Sequence, residues 1–211
     1  MNLGFWEEKF EELVSLSCPP DDPAHDLLHF RRVVSTAKKI CVAENGNLNV
    51  VVPAAWLHDL VVVPKDSPLR SQASTMSAKK AFAFLTENNF EEILIPQICH
   101  AIEAHSFSAQ IEPQTIEAKI VQDADRLDGL GAIGVARCFA TSGLLKRPFY
   151  SQNDPFCETR KPDDSVFTVD HFYKKLFLTA ETLKTRTGEE LGHKRVLAMK
   201  NFLKDLAQEI I

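Results

Sequence analysis

Apolar residues recur along this chain mainly at intervals of three and four. Trp6, Phe10, Leu13 and Val14 make one stripe, which predicts an amphipathic helix over residues 4–17. Cys18-Pro19-Pro20 stops it, because proline has no amide hydrogen and clashes with the preceding turn. Asp22-Pro23 is an N-cap followed by proline at the first helical position, so a second helix is predicted from there to about Glu44, with Asn45-Gly46 as its stop. Pro53 is read as opening a third helix through about Leu60, closed by Pro64. Residues 70–88 predict a fourth, and Pro96 starts or kinks a segment ending near His105. Thr115–Asp128 and Leu130–Leu144 follow, broken at Gly129-Leu130-Gly131. Lys146–Val166 carries three prolines and several aspartates and reads as one long surface loop, a class of segment that is often functional. Thr168–Lys184 and Glu189–Ile211 complete the pattern as helices, with Gly188 between them. Asn49–Val52 is too short to found a sheet, so the fold class expected is all-α, a bundle of about eight to nine helices.

Composition narrows the function. The chain has 211 residues, 45% hydrophobic and 25% charged, globular averages that predict one domain over 1–211 with a full core. A formal charge of -5 speaks against nucleic-acid polymers as partners, and leaves room for a small phosphorylated substrate held by a local cluster of cations or a metal. Five dispersed cysteines without a CxxC pair read as reduced thiols of a cytoplasmic protein. The N-terminus is acidic where a signal peptide would be basic, and no apolar run of membrane-spanning length occurs, so no membrane partner is expected. The oligomeric state is left open.

The chemistry concentrates in four segments. His58-Asp59 ends the apolar run Ala54-Ala55-Trp56-Leu57, where desolvation would penalise both side chains unless they are partnered. Alone, the pair equally fits a satisfied core histidine. His25, His29 and Arg32 fall at spacings of four and three, which sets them on one face if one helix carries all three. Gln122-Asp123-Ala124-Asp125-Arg126-Leu127-Asp128 follows the apolar lead Ile120-Val121, and His100 and His105 flank Ile102-Glu103-Ala104.

In order, His29, His58-Asp59 and Asp125 give H…HD…D, and here the chain resembles the HD-domain metal-dependent phosphohydrolase superfamily, in particular its bacterial group of small single-domain members. The resemblance spans 23–135 as a motif core and reaches the Asp154-Pro155-Phe156-Cys157-Glu158 loop and the His171-Phe172-Tyr173 segment, within the C-terminal part that closes with helices over 168–211. It implies a helical bundle holding one divalent ion through His29, His58, Asp59 and Asp125, with Asp123 and Asp128 outside the ligand set. The second carboxylate that follows the HD pair in the ppGpp-hydrolase branch has no counterpart in Leu60-Val61-Val62-Val63-Pro64-Lys65-Asp66, which speaks against that activity. His100 and His105 could be taken for the extra pair that bridges a second metal in phosphodiesterase branches, but one metal is the simpler reading.

Two imidazoles and two carboxylates suit Mn, Mg, Fe, Co or Ni, and such an ion acidifies water and polarises a phosphoryl oxygen. Phosphoryl transfer also needs cations around the developing charge. Arg32, Lys65 and His105 are the candidates for that catalytic role. His25, Arg32, Lys65, His100, His105 and Asp128 are candidates for substrate contact, with a solvated loop lysine standing beside the functional reading of Lys65 and an orienting role beside that of Asp128. The expected activity is hydrolysis of a phosphate ester or anhydride in a nucleotide-like substrate, and the resemblance tilts it towards a nucleoside triphosphate cleaved to monophosphate and pyrophosphate. A nucleotide monophosphatase, a cyclic-nucleotide phosphodiesterase, a regulatory module that binds metal and nucleotide without turnover, and a helical interaction protein with merely polar surfaces stand as alternatives.

Overall fold

The computed structural model describes residues 2–17, 26–63 and 67–210. Among them are nine α-helices and no strand: α1 Leu3–Ser15, α2 Leu27–Ala43, α3 Leu48–Leu57, α4 Ala73–Glu87, α5 Ile95–His105, α6 Ile116–Asp128, α7 Gly131–Leu144, α8 Phe177–Ala180 and α9 Arg186–Glu209. The fold is all-α, as expected. The chain divides into two compact units, one of Met1–Asp125 with Lys184–Gly188, the other of Arg126–Leu183 with Glu189–Ile211.

In the first unit α3 is the centre, packed by α1, α2 and α5 and touched by α4. Val50 to Leu57 are buried without a break, the signature of a helix surrounded by others. This corrects the reading of Pro53 as a helix start. Asn47 caps the helix five residues earlier, its side chain accepting from the Asn49 amide at 3.0 Å, and Pro53 lies inside. The helix also ends earlier than expected, with His58 as its C-cap.

A second correction concerns α2. Asp26 is its N-cap, with extended backbone and a carboxylate that accepts from the His29 amide at 2.8 Å. A residue in that conformation cannot be helix interior, so α2 starts at Leu27; Asp22-Pro23 and His25, on which the expected start and the shared face with His29 rested, lie outside the described residues. The far end of α2 follows the sequence. Asn45 takes a left-handed φ of 56°, and the Gly46 amide bonds the Cys41 carbonyl at 2.9 Å. Gly46 is required for space as well, since a Cβ there would stand 2.8 Å from Ile120 Cδ1.

Trp6, Phe10 and Val14 are the buried stripe of α1, and Trp6 and Phe10 join Phe84 and Phe90 in one aromatic cluster. α5 opens with Pro96 in its first turn and buries Ile98, Ala101 and Ile102 on the side away from solvent.

In the second unit, Phe139 of α7 meets Phe149, Phe172 and Phe202. Gly134 backs directly on Gly129, whose carbonyl oxygen would lie 2.2 Å from an added Cβ, so this stretch is closely packed. The segment from Lys146 to Val166 is free of helix but ordered by hydrogen bonds. Asp154 accepts from the amides of Glu158, Thr159 and Arg160, and the buried carboxylate of Asp170 accepts from Arg160 and from the Asp163 amide.

The expected helix over Thr168–Lys184 forms over a shorter span. The Thr168 and Val169 amides bond the Pro148 and Phe149 carbonyls, and helical winding then runs over residues 170–180, with a π-helical turn at Phe172–Leu176 followed by the short α8. The last helix starts at Arg186 and includes Gly188, which the sequence reading had placed between helices. Thr185 caps it, its hydroxyl accepting from the Gly188 amide at 3.0 Å. Among the described residues no helix is long and apolar enough to cross a membrane.

Candidate metal centre

Three helix ends and one helix face of the first unit deliver five side chains to one place. The Asp26 cap fixes His29 in the first turn of α2, the end of α3 presents His58 and Asp59, α5 ends on His105, and α6 carries Asp125. His29, His58 and His105 are buried at 1%, 0% and 4% exposure, while the two carboxylates remain partly open to solvent. His29 Nε2 lies 3.3 Å from His58 Nε2, and Asp125 Oδ1 lies 3.6 Å from the first and 3.7 Å from the second. On the other side of His58, Asp59 Oδ2 is 3.6 Å from its Nε2, and Asp59 Oδ1 is 3.4 Å from His105 Nε2.

The ring orientations are set by backbone carbonyls. His58 Nδ1 donates to the Ala55 carbonyl at 2.9 Å, which turns the Nε2 lone pair toward His29 and Asp125. Complete burial lowers the His58 pKa to about 4, against the opposing pull of Asp59 and Asp125, so the ring is neutral at ordinary pH. A neutral imidazole is the form that binds a metal. For His105 burial also presses downward, but the hydrogen bond and charge of Asp59, with smaller help from Asp125 and the Ile102 carbonyl, raise it above the ordinary value.

The donor set fits a divalent cation. Metal bonds of about 2.1 Å put cis ligands of an octahedron about 3.0 Å apart and trans ligands about 4.2 Å apart, and the observed separations of 3.3, 3.6 and 3.7 Å fall in that range. His29, His58 and Asp125 form one group that could hold an ion, and His58, Asp59 and His105 form another. Nitrogen and carboxylate oxygen without thiolate suit the harder first-row metals or magnesium. Neither group contains a cysteine; burial pushes the Cys41 and Cys99 thiols up to about 11 and Cys138 to about 12, and Cys157 is likewise raised, to about 11.

The other sequence candidates separate. Arg32 is half-buried on α2, one turn beyond His29. His100 is turned elsewhere, its Nε2 accepting from the Gln114 amide at 2.9 Å. Asp123 faces the 184–185 turn, accepting from the Lys184 and Thr185 amides and from the Thr185 hydroxyl at 2.7 Å. Asp128, in the second unit, accepts from Arg137 at 2.6 Å. Lys65, Asp66 and His25 lie outside the described residues.

Gln122, which sequence reasoning passed over, is buried one turn before Asp125 and donates to the Ala104 carbonyl at 2.6 Å, tying α6 to the end of α5 beside His105. A polar residue one helical turn from a candidate ligand was the signal that could have found it.

The comparisons with known proteins agree with this geometry. The HD-domain family model matches residues 27–130. The Bacillus subtilis protein YpgQ is 30% identical over 194 residues, covering 90% of this chain and 86% of YpgQ. The crystal structure of YpgQ in complex with ADP superposes with a TM-score of 0.77 at 28% identity, over 100% of this chain and 97% of that one. An HD-superfamily hydrolase from Bacillus thuringiensis gives a TM-score of 0.76 at 30% identity, over 98% and 97% of the two chains. The histidines and aspartates gathered at the ends of α2, α3 and α5 and on α6 fall inside the matched region, and the chain belongs to the HD-domain family.

Proposed function

We propose that this protein is a metal-dependent phosphohydrolase that cleaves a phosphate ester or anhydride bond in a nucleotide-like substrate, with His29, His58, Asp59 and Asp125 holding one divalent ion. The observation that carries the reading is the meeting of His29, His58 and Asp125, from three helices, with donor atoms 3.3–3.7 Å apart. The nucleotide part is supported by the similarity to YpgQ, whose structure was solved in complex with ADP. A divalent ion there would supply Lewis-acid polarisation of a phosphoryl oxygen and lower the pKa of water.

The chain's own residues do the rest. The Ala55 carbonyl holds His58 in the tautomer that leaves Nε2 unprotonated, and burial keeps that ring neutral. Asp59 stands between two imidazoles, one oxygen toward His58 and the other toward His105, so His105 fixes the orientation of that carboxylate. His105, with Arg32 on the adjoining α2 and Lys65 after the HD pair, would meet the charge that builds on the phosphoryl group. The finer reading is attack at the alpha phosphorus of a nucleoside triphosphate, releasing pyrophosphate.

Hydrolysis in heavy-oxygen water tests it. The expected result is label in the nucleoside monophosphate and none in pyrophosphate. Labelled inorganic phosphate, with a diphosphate or nucleoside as co-product, would replace the triphosphate reading by a phosphatase one.

A further inference from the structure

Arg70 opens a short 3-10 turn, Arg70–Gln72, just before α4, and is half-buried. Its Nη1 donates to the Val63 carbonyl at 2.8 Å, and its own carbonyl accepts from the Ser108 hydroxyl at 3.5 Å. The Ser108 and Ser106 hydroxyls are 3.0 Å apart. Both ties lead back to the candidate centre. Val63 is four residues beyond Asp59, and Ser106 follows His105, whose Nε2 faces Asp59. Four residues span at most about 14 Å, so the carbonyl that anchors the Arg70 guanidinium lies within about that distance of Asp59.

Three other arginines are spent on carboxylates. Arg31 pairs with Glu11, Arg137 with Asp128 and Arg160 with Asp170. Arg70 has no carboxylate within ion-pair distance among the described residues, in a chain with 29 acidic and 24 basic residues. One of its five donors is anchored on a carbonyl, which fixes the plane of the guanidinium, and the donors that remain form a fork matched to phosphate oxygens. A partly desolvated cation with donors unused among the described residues, its backbone tied to the seryl segment that follows His105, is an arrangement that binds an anionic group.

We propose that Arg70, with Ser106 and Ser108 beside it, binds the phosphates of the substrate beyond the one under attack. This rests on the nucleotide reading above. The test is calorimetric binding of ADP and of AMP to the metal-loaded protein and to its R70M variant, with K204M, an exposed lysine far along α9, as a control for net charge. R70M is expected to weaken ADP by about 10- to 100-fold, the worth of a charge-assisted hydrogen-bonded pair, and AMP by less than about threefold. K204M should match the unaltered protein. Should R70M fail to fold, R70K gives the same discrimination, because a point charge cannot make the two-pronged contact and ADP still weakens more than AMP. Unchanged ADP affinity would overturn the proposal. Equal loss for ADP and AMP would also overturn it, reducing Arg70 to a tie for Val63. Failure of the unaltered protein to bind either nucleotide would remove the nucleotide reading together with this inference.

Discussion

Asp123 and Asp125 stand two residues apart on α6, and exchanging each tells apart two roles that similar residue types could share. Asp123 is fully buried, and its carboxylate is the acceptor for the Lys184 amide, the Thr185 amide and the Thr185 hydroxyl. Asp123→Ala would strand these donors. Each unsatisfied buried donor costs about 1–3 kcal/mol, and local relaxation recovers part, so the expected loss is about 3–5 kcal/mol. For a chain of this length that lowers the melting temperature by roughly 6–20 °C, at roughly 2–4 °C per kcal/mol. Asp123→Asn keeps one oxygen and should lose about half as much. Bound divalent metal, measured on the same samples well below the transition, should be unchanged. Asp125→Asn should behave in the opposite way, with its stability within about 1 kcal/mol of the starting protein and its metal lost. Circular-dichroism melts and elemental analysis of dialysed protein decide the matter. An Asp123→Ala protein that melts with the unaltered one, or an Asp125→Asn protein that keeps its metal, would refute the assignment.

Two further outcomes follow from the packing. Gly188→Ala should destabilise by about 1–3 kcal/mol although alanine is the better helix former, because its Cβ would press within 2.4 Å of Asp123 Oδ2 and 2.7 Å of Thr185 Oγ1; a melt at or above that of the unaltered protein would contradict this. The loop around Asp154 and Asp170 should loosen in acid. The Thr159 and Glu158 amides lower the Asp154 pKa to about 2, and the Asp170 carboxyl is lowered too, burial opposing but outweighed by Arg160, the Asp163 amide and Cys157 together. A depressed folded pKa gives stability that is complete above the ordinary carboxylate value near 3.8 and is lost as pH falls through the folded one, so proteolysis within 146–166 should rise between about pH 4 and pH 2. Asp154→Asn should already be cleaved faster at pH 5, and equal cleavage of the two proteins at that pH would count against the loop account.

The order H…HD…D was legible because metal chemistry demands particular residue types, and His29 and Asp125 in the other segments outweighed the bland reading of His58-Asp59 as a satisfied core pair. Helical class was legible from spacing alone. What misled was local. Pro53 is a stronger start signal than Asn47 on paper, yet the core required a helix long enough to bury Val50 to Val52, and Asn47 supplied the cap. The expected start at Asp22-Pro23 gave way to a cap at Asp26, whose carboxylate accepts from the His29 amide. Other features are long-range and leave no local trace. The partner of Asp123 lies 61 residues away, and the amides that delay the helix after Thr168 are bound by carbonyls at 148 and 149. His100 and His105 both stood as candidates for substrate contact. Five positions on a helix turn the side chain by about 140°, so one meets Asp59 and the other a loop amide.

The central claim is that the HD pair holds the ion on which turnover depends. The direct measurement is metal content and phosphohydrolase activity, before and after chelation and metal return, in the unaltered protein and in Asp59→Ala, with far-ultraviolet circular dichroism to confirm that the helices persist. The account predicts one divalent ion per chain and chelation-sensitive, metal-restorable turnover in the unaltered protein, with both ion and turnover gone from Asp59→Ala. Full activity in chelated Asp59→Ala would contradict it.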